Sequence, residues 1–272
     1  MAERERRSPR VELRFEERGA KGRIARVTVD HPGKLNVLNR ALIDQLGSAF
    51  SSLSGAERLR AVILTGAGER AFIGGADIRD MAGLTQDTAA DFITALHRAC
   101  EGIRRLPVPV IARVHGYALG AGLELAAACD LRVASAGSRL GMPEVRVGIP
   151  SVIEAALLPG LIGWGRARRL LLTGETIDAA EAERWGLVEW CVPAAQLDTA
   201  IEELVDAIIA CGPGAIRLQK ELVRAWEDLP TAQAIERGIT SFAAAFQSDE
   251  PSRMMGEFLS AAARRKVRAK KS

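Results

Sequence analysis

The sequence predicts an α/β fold followed by a helical C-terminal region, and three features predict it. Apolar strand signals alternate with amphipathic helix signals at roughly 50-residue intervals through the first part of the chain. From about Ala155 onward strand signals nearly vanish, and segments rich in Leu, Ala and Arg take over. With 272 residues, 48% of them hydrophobic, the chain exceeds what one core usually holds, so a main domain with a smaller appendage is expected. The boundary falls near Val192 and Pro193. This gives a basic extension over 1–10, an α/β core over 11–192, a helical region over 193–263 and a basic tail over 264–272.

The elements follow in order. Val11 to Phe15 and Arg23 to Val29 alternate apolar and polar residues on either side of a Gly-containing turn, which reads as two strands. DHPGKLN breaks that pattern. Ile43, Leu46, Phe50 and Leu53 then recur at helical spacing. Ala61 to Leu64 is a buried strand, followed by a Gly-rich loop and a helix through Phe92, Ile93, Leu96, Cys100 and Ile103 that Pro107 and Pro109 end. Val110 to Val114 is the next buried strand, GYALGAG leads into a short helix over Leu123 to Ala128, and Leu131 to Ala134 is another strand.

Composition excludes several classes. Cys100, Cys129, Cys191 and Cys211 are scattered without a CxxC pair, which argues for reduced thiols in the cytoplasm and against zinc. His31, His97 and His115 include no pair within one helical turn, so no histidine-based metal site is expected. The charged N-terminus precedes no apolar segment of signal-peptide length, and no apolar run is long enough to span a membrane. The net charge of +3 hides an acidic body of −5, because residues 1–10 carry +2 and residues 264–272 carry +6. Such a tail could meet nucleic acid or ligand phosphates, but a solvated end explains it more simply. The absence of aromatic residues near it argues against base stacking.

The common nucleophile, phosphate and zinc motifs are missing: there is no G-x-S-x-G, Walker A or HExxH. Gly66 to Ala71 fits the dinucleotide fingerprint, with Asp91 downstream, but loop residues follow where a helix should open. Two Gly-rich loops remain, at 72–78 and 116–125, where small residues let a ligand approach backbone N–H donors. Two glutamates also stand in apolar company, Glu124 in GLELAAA and Glu144 in GMPEVRVG. Desolvation raises the pKa of such a carboxyl toward values useful in proton transfer. An ordinary surface glutamate is the alternative for each, and spacing alone does not bring the two together. A glycosidase would also use two carboxyls, but 4% aromatic content does not suit sugar stacking.

Together, KLNVLN (34–39), AFIGGADIRDM (71–81), HGYALGAGLELAAACD (115–130), PEVRVGIP (143–150) and LTGETIDAAEAERWGLV (172–188) resemble the crotonase family, the enoyl-CoA hydratase/isomerase superfamily. The likeness covers about 11–260. It implies a spiral of ββα turns with a helical C-terminal region, a homotrimer or hexamer, and an acyl-coenzyme A thioester as substrate. It requires no cofactor beyond the coenzyme A of that substrate. On matching positions, the N–H groups of Ala76 and Ala121 would form an oxyanion hole. Ala121 stands where glycine is commoner, so its methyl group could crowd the thioester oxygen.

The same likeness places Glu124 and Glu144 at the two catalytic glutamate positions of the hydratases. It assigns coenzyme A contacts to Lys34, Leu35, Val37, Gly74, Ala76, Asp77, Ile78 and Ala121, with Arg70 and Arg79 for the phosphates. The expected reaction is hydration of a 2-enoyl-CoA to a 3-hydroxyacyl-CoA. Isomerisation, dehydration or thioester hydrolysis on acyl-CoA are the enzymatic alternatives, and a nucleic-acid-binding or partner-subunit role is the nonenzymatic one. The sequence departs from the family in GIPSVIEAALLP, one residue shorter than usual and with Glu154 where glycine is usual. Glu154 stands either at the N-terminus of a following helix, where the dipole favours a carboxylate, or in the site as a third acid; the cap is the expectation.

Overall fold

The computed structural model describes residues 8–269, with side chains described through Ala261. Most of the basic extension and the side chains of the basic tail therefore lie outside the described residues. The chain divides into two compact units between Asp206 and Ala207, later than the expected boundary.

The first unit opens with an antiparallel hairpin of β1 (Arg10–Glu17) and β2 (Arg23–Asp30), in register from Arg10 opposite Asp30 to Glu17 opposite Arg23. Helix α1 (Arg40–Ser54) follows, with the Asn39 side chain accepting from the Leu42 N–H at 2.9 Å to cap it. Three strand pairs come next: β3 (Leu59–Gly66) with β4 (Ala71–Ile73), β5 (Val110–Val114) with β6 (Tyr117–Leu119), and β7 (Leu131–Ser135) with β8 (Arg139–Gly141). Helices α2 (Ile78–Met81) and α3 (Gln86–Arg105) follow the first pair and α4 (Ala121–Ala128) the second. Each pair sends its long strand to a six-stranded sheet, ordered β1-β2-β3-β5-β7-β10, and its short strand to a four-stranded sheet, ordered β4-β6-β8-β9. Repetition of that division produces the expected spiral of ββα turns. Helices α5 (Leu158–Thr173), α6 (Ala179–Trp185) and α7 (Leu197–Ala210), with strands β9 (Thr176–Asp178) and β10 (Trp190–Val192), complete the order.

The central strands follow from their sequences. All eight residues of β3 are buried, as a parallel strand covered on both faces requires of an apolar run such as AVIL. Helix α3 buries Phe92, Leu96, Cys100 and Ile103 on one face, begins with a Thr85/Thr88 capping box and stops at Leu106, whose extended ψ of 135° suits a residue before proline. The short strands β4, β6, β8, β9 and β10 are additions to the strand–loop–helix reading.

Asn36 joins the first loop to the second sheet. It is fully buried at φ 55°, a left-handed conformation that asparagine tolerates better than most residues. Its Nδ2 donates to the carbonyls of Ala67 (2.9 Å) and Ala71 (2.8 Å), and its Oδ1 accepts from the His31 N–H (2.9 Å). Asn36→Ala leaves these groups buried without partners and should lower stability by about 2–4 kcal/mol in denaturant unfolding. A loss under ~0.5 kcal/mol would show that the network is dispensable.

The second unit contains α8 (Pro213–Asp228), α9 (Thr231–Ala245) and α10 (Glu250–Ala269). The Glu250 carboxylate accepts from the N–H groups of Gly214 (3.0 Å) and Ala215 (2.9 Å), satisfying donors that the first turn of α8 leaves free. Ile235, Ile239 and Phe242 recur on one side of α9, continued by Phe246 beyond its end, and each is more than half exposed.

Candidate active site

Two backbone donors arise from the way short elements meet. Beyond β4, the Leu38 N–H donates to Gly75 O and the Asp77 N–H to Leu38 O, both at 2.8 Å. In such a parallel bridge the middle residue, Ala76, turns its own N–H away from Leu38. The second donor is the N–H of Ala121, in the first turn of α4, where helical partners do not exist. Neither N–H has a hydrogen-bond acceptor among the described residues. Gly122, with no side chain, lets α4 rest directly against the carbonyl of Ile73, three residues before Ala76, and Ala76 and Ala121 line one cavity.

Both glutamates touch Gly120, the residue before α4, one through its backbone and the other through its carboxyl. Glu124 lies one turn into the helix, its N–H donating to Gly120 O at 3.0 Å, and it is only 3% exposed. Glu144 opens the short 3-10 turn Glu144–Val147 after β8, and its Oε1 lies 2.5 Å from where a β-carbon on Gly120 would stand. Gly120 also has φ 51° and ψ −121°, a conformation reserved for glycine. The Ser151 hydroxyl donates to Glu144 Oε2 at 2.8 Å, and the Ala155 N–H donates to Glu124 Oε1 at 3.3 Å.

Burial pushes the Glu124 carboxyl up to about 8, with the charge of Glu144 and then of Glu154 adding to the effect and the Ala155 N–H opposing it. The folded chain therefore binds a proton there that the unfolded chain releases above about 4.5. That stability is fully present below about pH 4.5 and is lost as pH rises through about 8. Glu124→Gln should accordingly stabilise the protein by a few kcal/mol at pH 8.5 and hardly at all at pH 4.5, read from denaturant midpoints. Equal effects at both values would contradict the burial argument.

Ala76, Ala121, Glu124 and Glu144 line one cavity of about 310 Å³. Its apolar wall comes from Phe92, Ile93 and Leu96 of α3 and from Val147, Ile149 and Val152. Of the other residues assigned to coenzyme A, Gly74 and Ile78 line it too. Lys34, Leu35, Val37 and Asp77 stand on the loops joined through the Leu38 bridge, where Gly74 N–H donates to Leu35 O at 2.9 Å and Lys34 Nζ is 3.6 Å from Asp77 Oδ2. Arg70 and Arg79 are exposed and do not line the cavity.

Gly66 to Ala71 runs from the end of β3 through a turn into β4 and opens no helix, in keeping with the loop residues that follow it. One expectation changes. Glu154 caps nothing: Ile153–Leu157 is a 3-10 turn without a side-chain cap, and Glu154 Oε1 instead lies 2.9 Å from His97 Nδ1 on α3. Ser151 and the Ala155 N–H are site groups that sequence reasoning missed; only the departure of this segment from the family pattern pointed there. Among the described residues no cluster could hold a metal ion, and no helix is long and apolar enough to cross a membrane.

The family model described as Enoyl-CoA hydratase/isomerase matches residues 19–265. The chain is 35% identical over 241 residues to the short-chain-enoyl-CoA hydratase of Clostridium acetobutylicum, covering 88% of this chain and 92% of that protein. It is 32% identical to the crotonyl-CoA hydratase of Syntrophomonas wolfei, covering 87% and 92%. The crystal structure of an enoyl-CoA hydratase from Mycobacterium smegmatis superposes with a TM-score of 0.88 at 31% identity, over 93% of this chain and 97% of that one.

Proposed function

This chain belongs to the enoyl-CoA hydratase/isomerase family, and from that premise we propose how its own residues carry out the hydration of 2-enoyl-CoA thioesters. The observation that carries the reading is that Glu124 and Glu144, close enough for the charge of Glu144 to act on Glu124, line one cavity with Ala76 and Ala121.

The Ala76 and Ala121 N–H groups receive the thioester oxygen, whose negative charge grows as water attacks the β-carbon. One glutamate, ionised, takes a proton from that water as the C–O bond forms. The other, protonated, delivers its proton to the α-carbon as the enolate collapses. The pair begins and ends with one proton, so the balance closes without a redox or metal cofactor. The raised proton affinity of Glu124 supports a pair that holds its proton at neutral pH. Retention of both carboxyls favours hydration over isomerisation, in which one group can shuttle the proton.

The coenzyme A arm runs over the loops of Lys34, Leu35, Val37 and 74–78, with Arg70 and Arg79 reaching its phosphates from the surface. The small cavity and the relatives named for short-chain and crotonyl substrates support a short acyl chain. Incubation with short, medium and branched 2-enoyl-CoA thioesters, following loss of the conjugated thioester absorbance, tests the reaction; no loss with any of them would refute it. Because the pair must keep one proton, kcat/KM should fall as pH rises through about 8. A profile flat to pH 9.5 would separate Glu124 from the proton transfer.

We assign the protein to the cytoplasm, on four cysteines scattered along the chain without a CxxC pair. We also assign it a trimer or hexamer, on the exposed apolar side of α9 and on Trp226 and Phe258, 44% and 74% exposed. Light scattering at micromolar concentration should show that assembly. A monodisperse species of 29.2 kDa would contradict it.

A further inference from the structure

Glu154 is 5% exposed: Oε1 meets His97 Nδ1, the Cys100 thiol of α3 lies against the same carboxyl, and by hydrogen-bond geometry Oε2 is buried with no partner among the described residues. A half-satisfied buried carboxylate is costly and calls for a reason. The residue before it, Ile153, has φ 38°, a conformation that a β-branched side chain strongly resists and that persists only when its surroundings enforce it. Three of the bonds that restrain this strained turn matter here. Ser151 holds Glu144, Ala155 N–H holds Glu124, and Glu154 is tied to α3 through His97. The first two end on the carboxyls of the site; the third anchors the turn to another helix.

We propose that Glu154, tethered by His97, is a positioning residue for the hydration: it holds the turn 151–155 so that Ser151 and the Ala155 N–H keep Glu144 and Glu124 aimed at the cavity. The inference rests on the reading of Glu124 and Glu144 as the reacting carboxyls. Glu154 does not itself line the cavity, so it acts through them rather than on the substrate. The ionisable groups around Glu124 are Glu144 on its turn, Glu154 on the strained turn, and Cys100 of α3, whose thiol is pushed up by burial and by Glu154 and Glu124.

His97 is half exposed on a helix, so His97→Ala removes the tether without emptying the core. It should lower kcat about tenfold with KM within twofold of the parent. His97→Asn, whose Nδ2 sits where the imidazole Nδ1 was, should restore most of kcat. In His97→Ala the released turn withdraws the Ala155 N–H that holds the Glu124 carboxyl down, so Glu124 should titrate higher than in the parent, read by carbon NMR of isotopically labelled glutamate. That titration does not depend on turnover, so it still reports if the parent hydrates no enoyl-CoA. Parental kcat in His97→Ala, a loss that His97→Asn fails to restore, or an unmoved Glu124 titration would each overturn the proposal.

Discussion

Glu144→Gln and Glu124→Gln should each reduce turnover by about two to four orders of magnitude while the protein still binds a saturated acyl-CoA. Each replacement keeps the shape of the side chain and an oxygen for its existing donor, Ser151 for residue 144 and Ala155 for residue 124. What it removes is the ability to exchange a proton. The pair works as a unit holding one proton, so the double variant should be only slightly slower than the slower single variant. Turnover within threefold of the parent in either single variant would remove that residue from the chemistry. Multiplicative losses in the double variant would mean that the two carboxyls act in separate steps.

The long elements were legible because their periodicity is long enough to read. Leu46, Phe50 and Leu53 mark α1, and Phe92, Leu96, Cys100 and Ile103 mark α3, at helical spacing that burial confirms. The three-residue strands β4, β6 and β8 contain no period to read; they exist because each finds a neighbour in the second sheet. The same distinction holds in the site. Small residues around Ala76 and Ala121, and apolar company around Glu124, are local signals. The bond between His97 and Glu154 joins residues 57 apart, and Ile153 adopts a conformation that its side chain disfavours. No local propensity announces either. The cap expected for Glu154 failed for a related reason, since the chain there forms a 3-10 turn and its carboxylate found a histidine on another helix. Asn36 escaped notice because a polar residue in a loop looks solvated until the carbonyls around it are located.

Gly122→Ala should destabilise the protein by about 3 kcal/mol or more, the opposite of what helix propensity alone predicts. Inside a helix, glycine to alanine is ordinarily worth up to ~1 kcal/mol of stabilisation. Gly47, within α1 and with nothing within 4 Å of an added β-carbon, supplies that comparison, and Gly47→Ala should raise the melting temperature by a few degrees. At Gly122 the added carbon would overlap the carbonyl oxygen of Ile73 and crowd its carbonyl carbon. These are backbone atoms of β4, which cannot rotate aside as a side chain can, so α4 must move off the strand. That movement separates the Ala121 donor from the loop that carries Ala76, and activity should fall further than the loss of folded protein explains. The two variants, measured by thermal unfolding and by turnover per folded molecule, decide the matter. A Gly122→Ala protein as stable as the parent would show that α4 does not need its close approach to β4. A destabilised protein with full activity per folded molecule would show that the approach serves the fold but not the alignment of the two N–H groups.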